Sequence, residues 1–217
     1  MKTTAAMITL LAWLAGVGVA RAETVDLLLV LAADVSRSID DGEFQLQRRG
    51  YATAMTDPRV LRAIAGGRNH AIAVTFIEWS GAADQNVVVD WTVVRDEEGA
   101  GGIAAAPIQG EKRIIDVSGD GTNNSGRPVT EARDQAIASG VTVNGLAIIN
   151  TQANPGYAFH TQPPGGLPKY YEENVIGGPG AFLLQVENFD TFAEAITRKL
   201  VTEIARANAA PAHASLD

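Results

Sequence analysis

The apolar run from Val25 to Ala33 ends in a polar loop, the pattern of a strand buried on both faces of a sheet. A helix is predicted from Asp41 to Ala65, broken near Asp57-Pro58 into two pieces, because the residue before proline is pushed out of helical geometry. Asp40 and Glu43 have the spacing of a capping box, and Phe44, Tyr51, Met55 and Leu61 are the expected core-facing positions. Ala71 to Trp79 and Val87 to Val94 are rich in Val, Ile, Phe and Trp, and the short polar stretch Ser80 to Asn86 between them predicts an antiparallel pair. Further on, a strand at Arg113 to Val117, a helix at Val129 to Ser139 closed by Gly140, and a strand at Val141 to Ile149 make a crossover unit. A long loop with five prolines, Asn150 to Gly180, leads to a last strand at Ala181 to Val186 and a last amphipathic helix at Phe189 to Arg206.

At 217 residues and 46% hydrophobic content, the chain can bury one substantial core. Residues 1–22 read as a secretory signal, with Lys2 at the start, an apolar stretch from Ala5 to Ala20, and Ala20-Arg21-Ala22 as a small-residue cleavage site. No basic stop-transfer cluster follows, so the expectation is export to the periplasm or cell exterior without a stable membrane anchor. The folded domain is then expected over 23–206, with a disordered tail at 207–217. Cleavage removes Lys2 and Arg21 and no acid, so 17 basic residues become 15 against 25 acidic ones, a net charge of −10. That balance makes nucleic acid and anionic membrane surfaces poor partners, so neither is expected. The absence of cysteine excludes disulfides, thiolate metal sites and cysteine nucleophiles.

Two acidic loops sit directly after core strands: Asp34-Val35-Ser36-Arg37-Ser38, and Ser118-Gly119-Asp120-Gly121. Ligand sites in open α/β sheets form at the carboxyl ends of strands, so these loops can bring carboxylate and hydroxyl oxygens to one hard cation. Each residue also has a plainer role open to it. Ser38 or Asp40 can cap the next helix, Asp34 can be held by backbone amides, and Asp120-Gly121 is an ordinary turn signal. Asp116, inside its strand, reads as structural support, and His70, His160 and His213 are too scattered for a zinc or triad site.

The segments VDLLLVLAADVSRS, IEWSG, RIIDVSGDGTNN, NGLAI, YYEENVIGGPGAF and FAEAITRKLVTEI, in that order, resemble the von Willebrand factor A-like fold and, more closely, a bacterial secreted branch of it, the domain-of-unknown-function family 1194. The resemblance implies a doubly wound α/β fold whose mostly parallel sheet carries one antiparallel strand. It also implies a metal-ion-dependent adhesion site, built from a DxSxS loop, a threonine from a second loop and an aspartate from a third. Asp34, Ser36 and Ser38 match the first element and Asp120 the last, with Mg²⁺, or alternatively Mn²⁺, as the expected weakly held ion.

What the resemblance also implies, and the chain lacks, is the helical segment with the metal-site threonine before the fourth strand. Only 16 residues, Asp96 to Glu111, lie between Arg95 and Lys112, and they hold no threonine. They reach about 53 Å when extended, while the two strands to be joined are roughly 14 Å apart, so connectivity survives the loss. The expected costs are a bared strip of sheet that favours self-association, and one absent ligand, for which Thr122 or water is the candidate replacement.

Three functions compete. One is an exported binding module in which an ion held by Asp34, Ser36, Ser38 and Asp120 accepts an acidic side chain of a protein partner. Another is a structural domain whose metal site has decayed. The third, a haloacid-dehalogenase-like phosphatase, is disfavoured because Ser36 stands where that chemistry places a second aspartate, and no GxSxG elbow or Walker loop is present, so an enzyme is not expected.

Overall fold

The computed structural model describes residues 22–95, 102–103, 107–149, 158–187 and 189–209. The signal segment therefore lies outside the described residues, apart from Ala22, as do His213 and most of the link after Arg95. Seven strands form one sheet: β1 (Glu23–Asp34), β2 (Ile72–Trp79), β3 (Gln85–Val94), β4 (Gly102–Ile103), β5 (Ile108–Gly119), β6 (Thr142–Ile148) and β7 (Leu183–Val186). Their spatial order is β4-β3-β2-β1-β5-β6-β7. Only β3 runs against the rest, paired antiparallel to β2 and β4, while β2, β1, β5, β6 and β7 are mutually parallel. This is the expected doubly wound sheet.

Helices α1 (Asp41–Met55), α2 (Pro58–Ala65) and α6 (Phe192–Asn208) cover one face. The break between α1 and α2 falls where Pro58 predicts it, and Asp40 and Glu43 form the reciprocal capping box at 2.8 and 2.9 Å. Leu27, Leu29, Leu31 and Ala33 of β1 meet Tyr51, Ile64, Phe192, Ile196 and Leu200 in the main core, with Met55 and Leu61 packed at its edge. Phe44 departs from expectation: it is only partly buried and lies beneath the Arg48 guanidinium, 4.5 Å from its ring centre. A buried ionic triad ties α6 to the sheet. Lys199 Nζ is 2.6 Å from Asp116 of β5 and 2.7 Å from Glu203, and Asn144 of β6 donates to Glu203 at 2.8 Å. Asp116 is thus structural, as expected.

On the other face lie α3 (Val129–Ala138) and the segment expected to be a long loop. Its described part contains α4 (Ala158–Thr161) and α5 (Leu167–Tyr170), the latter continuing as a wider π turn over Tyr171–Val175. Gly145 of β6 lets this turn approach, because a Cβ there would stand 2.9 Å from both Tyr171 and Ile176 side-chain carbons.

Two expectations about the sheet need correction. β1 is not buried on both faces: Leu28, Val30 and Ala32 stay partly exposed, because no described helix lies over that side of β1, β2 and β3. β5 begins at Ile108 rather than Arg113, since Ile108 to Lys112 pair with the first residues of β1, from Glu23↔Ile108 to Leu27↔Lys112. The end of the short link is therefore strand, leaving only residues 95–107 between β3 and β5. The last helix also continues two residues beyond Arg206, to Asn208.

Candidate metal centre

The carboxyl ends of β1 and β5, neighbours at the middle of the sheet, bring all four anticipated oxygens together. Asp34 closes β1 at 4% exposure and Asp120 follows β5 with none. The Ser38 hydroxyl donates to Asp120 Oδ1 at 2.7 Å and lies 3.2 Å from the Ser36 hydroxyl, while the Ser36 amide donates to Asp34 Oδ1 at 2.8 Å. The serines converge because the chain turns there, with the Ile39 amide donating to the Ser36 carbonyl at 3.0 Å. Helix capping falls to Asp40, which leaves the Ser38 hydroxyl on the cluster.

Burial pushes the Asp34 carboxyl up to about 7; hydrogen bonds from the Ser36 hydroxyl and amide oppose this, and the nearby Asp120 charge adds to it. Two buried carboxylates in one cluster repel each other, and a cation between them would relieve that repulsion. Among the described residues no group of three or more His, Cys, Asp or Glu side chains could hold a metal. Any ion here must therefore use hydroxyl oxygens as well as carboxylates. That all-oxygen set fits a hard divalent cation which keeps several of its waters.

Thr122, the candidate replacement for a metal-site threonine, is engaged with His160. Its hydroxyl is 3.1 Å from His160 Nδ1 and its amide donates to the His160 carbonyl, which fixes it against α4. His160 has a local role of this kind, and so does His70, whose Nδ1 is 2.6 Å from the Ala65 carbonyl.

Sequence reasoning missed Tyr171 and Gly119. Tyr171 is buried beside the cluster, and its hydroxyl is pushed well above its usual range by burial and then by Asp34 and Asp120. A Cβ on Gly119 would stand 2.9 Å from both Asp34 Oδ2 and the Tyr171 hydroxyl, so only glycine lets these groups meet. On the opposite side of β5, Ser118 and Tyr51 share a 2.8 Å hydrogen bond that anchors the strand end to α1. The one available signal was the Tyr170-Tyr171 pair, which reads as a loop feature until the π turn places it.

A sheet of this order, with its oxygen cluster at the ends of β1 and β5, defines a von Willebrand factor A-type domain. Residues 24–108 and 97–208 match the protein family of unknown function DUF1194, and the chain belongs to that family. The two matched stretches overlap at 97–108, within the short connection to β5. No curated protein matches the chain. Among solved structures, it is similar to proximal thread matrix protein 1 from the mussel byssus, in a form with a zinc-occupied MIDAS motif, at 14% identity and a TM-score of 0.52, covering 85% of this chain and 49% of that one. BatB from Bacteroides thetaiotaomicron aligns at 16% identity and a TM-score of 0.43, covering 83% of this chain and 99% of BatB. The ArnB paralog VWA2 from Sulfolobus acidocaldarius aligns at 10% identity and 0.47, covering 81% of this chain and 45% of that one. At these identities the likeness concerns the fold alone, and the chain spans about half the length of the mussel protein.

Proposed function

We infer that this protein is a non-enzymatic binding module that captures a carboxylate of a protein partner through a divalent cation, most simply Mg²⁺, held by Asp34, Ser36, Ser38 and Asp120. The observation that carries this reading is the hydrogen-bonded convergence of two buried carboxylates and two hydroxyls at adjacent strand ends. A bound cation would supply an open Lewis-acidic position for the partner's oxygen. The chain's own residues set the geometry: the Ser36 amide orients Asp34, Ser38 orients Asp120, and Gly119 keeps Tyr171 close without crowding Asp34.

The engagement of Thr122 with His160 favours a second reading, a structural domain whose metal site has lost a ligand. Titration calorimetry with Mg²⁺ and Mn²⁺ separates the two. Weak binding that disappears in Asp34→Ala and in Asp120→Ala supports the module. No heat in the natural protein supports the decayed site, and unchanged affinity in both variants would place the ion elsewhere.

A further inference from the structure

A half-open groove of about 600 Å³ lies on the face of the sheet that carries α3, beside the oxygen cluster. Its floor is an apolar row in register: Ala32 of β1 sits opposite Ile77 of β2 and Val117 of β5. The wall is α3 and the π turn. Its upper end meets the cluster through Gly121, which follows Asp120, and Trp79, the register partner of Asp34. Among the described lining residues only Arg127 carries a formal charge, and it is positive, in a chain of net charge −8. The groove therefore complements an anionic ligand that also has an apolar part. Its size lies within the range of ordinary ligand sites.

We propose that the oxygen cluster and this groove form one bipartite site for a partner segment in which an acidic side chain is followed by bulky apolar ones: the acid goes to the cluster and the apolar side chains cross the bared strands. This rests on the carboxylate-binding reading above. The row spans three strands, two spacings or roughly 10 Å, which is the length of about three extended residues. Each apolar side chain laid over Ile77, Ala32 and Val117 removes surface from water on both partners, so the groove adds affinity while the cluster sets the register.

Three synthetic peptides test this against the full mature chain: acetyl-Asp-Leu-Leu-amide, acetyl-Asp-Gly-Gly-amide and acetyl-Gly-Leu-Leu-amide, each titrated in Mg²⁺ and in EDTA. In Mg²⁺ the first should bind at least tenfold tighter than either of the others. Ile77→Asn should remove most of the advantage over Asp-Gly-Gly without changing Mg²⁺ affinity. Ala132→Phe, which fills the groove from α3 and leaves the sheet untouched, should do the same, so the test survives if one variant folds poorly. Equal binding of Asp-Leu-Leu and Asp-Gly-Gly in Mg²⁺, or an advantage that persists in both variants, overturns the groove assignment alone. Asp-Leu-Leu binding as tightly in EDTA as in Mg²⁺ overturns the carboxylate reading, and the shared site with it. A natural chain that light scattering shows as a dimer closed over this face would mean that a second copy is the occupant.

Discussion

At the scale of single residues, the most consequential polar group outside the oxygen cluster is Lys199, fully buried between Asp116 and Glu203. Removing it would strand two carboxylates without a counter-charge, so Lys199→Met should cost about 3–5 kcal/mol in urea unfolding. A second expectation concerns pH. Burial, with the Glu203 charge adding to it, raises the Asp116 carboxyl from 3.8 to about 7, while Lys199 opposes the rise. The groups facing Asp116 are Lys199 and Glu203 from α6 and Tyr51 from α1, and the Tyr51 hydroxyl is itself pushed up by burial. A carboxyl whose folded value lies above its unfolded value binds more protons when native. Its contribution is full below about pH 4 and is lost as pH rises through about 7. Metal-free protein should therefore unfold at lower urea at pH 8 than at pH 5. Asp34 contributes with the same sign, so Asp116→Asn should flatten the slope without abolishing it. A slope unchanged in that variant would show that the triad does not take up the proton.

At the scale of elements, legibility followed locality. The α1 cap was readable because Asp40 and Glu43 act within one turn, and the β2-β3 hairpin because Ser80 to Asn86 leaves no room for a crossover. The early start of β5 was not, because Ile108-Gln109-Gly110-Glu111-Lys112 has no strand-like alternation and is held by distant β1. The one-sided burial of β1 was equally hidden: Leu28, Val30 and Ala32 look like core residues, and only the absence of a described helix above them makes them surface. In the candidate site, the four oxygen-bearing side chains carried a local motif, whereas Tyr171 reaches them through a π turn that no periodicity announces. That turn yields a prediction of its own. Gly145→Ala would drive a Cβ into Tyr171 and Ile176, so it should cost about 1–3 kcal/mol by overpacking, and it should weaken metal binding by displacing Tyr171. Calorimetry beside urea unfolding reads both effects, and a loss of stability with metal affinity intact would detach the π turn from the site.

At the scale of the whole molecule, β1 begins at Glu23, the first residue after the predicted cleavage site, and the Glu23 amide already donates to the Pro107 carbonyl at 3.0 Å. Cleavage there would keep the whole strand, and mass spectrometry of the exported fraction should find a mature terminus at Glu23; an intact Met1 in the membrane would refute it. The larger question is how a doubly wound sheet stands with no described helix over part of one face. The main core lies on the other side, under α1, α2 and α6, and a second cluster, Ala147, Leu167, Tyr171 and Val175, serves the β6 end. Away from both, Val30, Ala32, Ile77 and Val87 meet solvent to differing degrees. Such a face should bind a hydrophobic dye such as anilinonaphthalene sulfonate in the native state, and Val87→Lys with Ile77→Asn should reduce the signal without lowering the unfolding midpoint, since neither side chain belongs to the main core. Inserting the longer threonine-bearing segment of a relative between Arg95 and Ile108 should abolish the dye signal, raise stability and tighten Mg²⁺ binding by returning one oxygen ligand. A natural chain that ignores the dye and equals the insertion form in stability and metal affinity would mean that the short connection already supplies what the longer one does, and that neither the face nor the metal centre is incomplete.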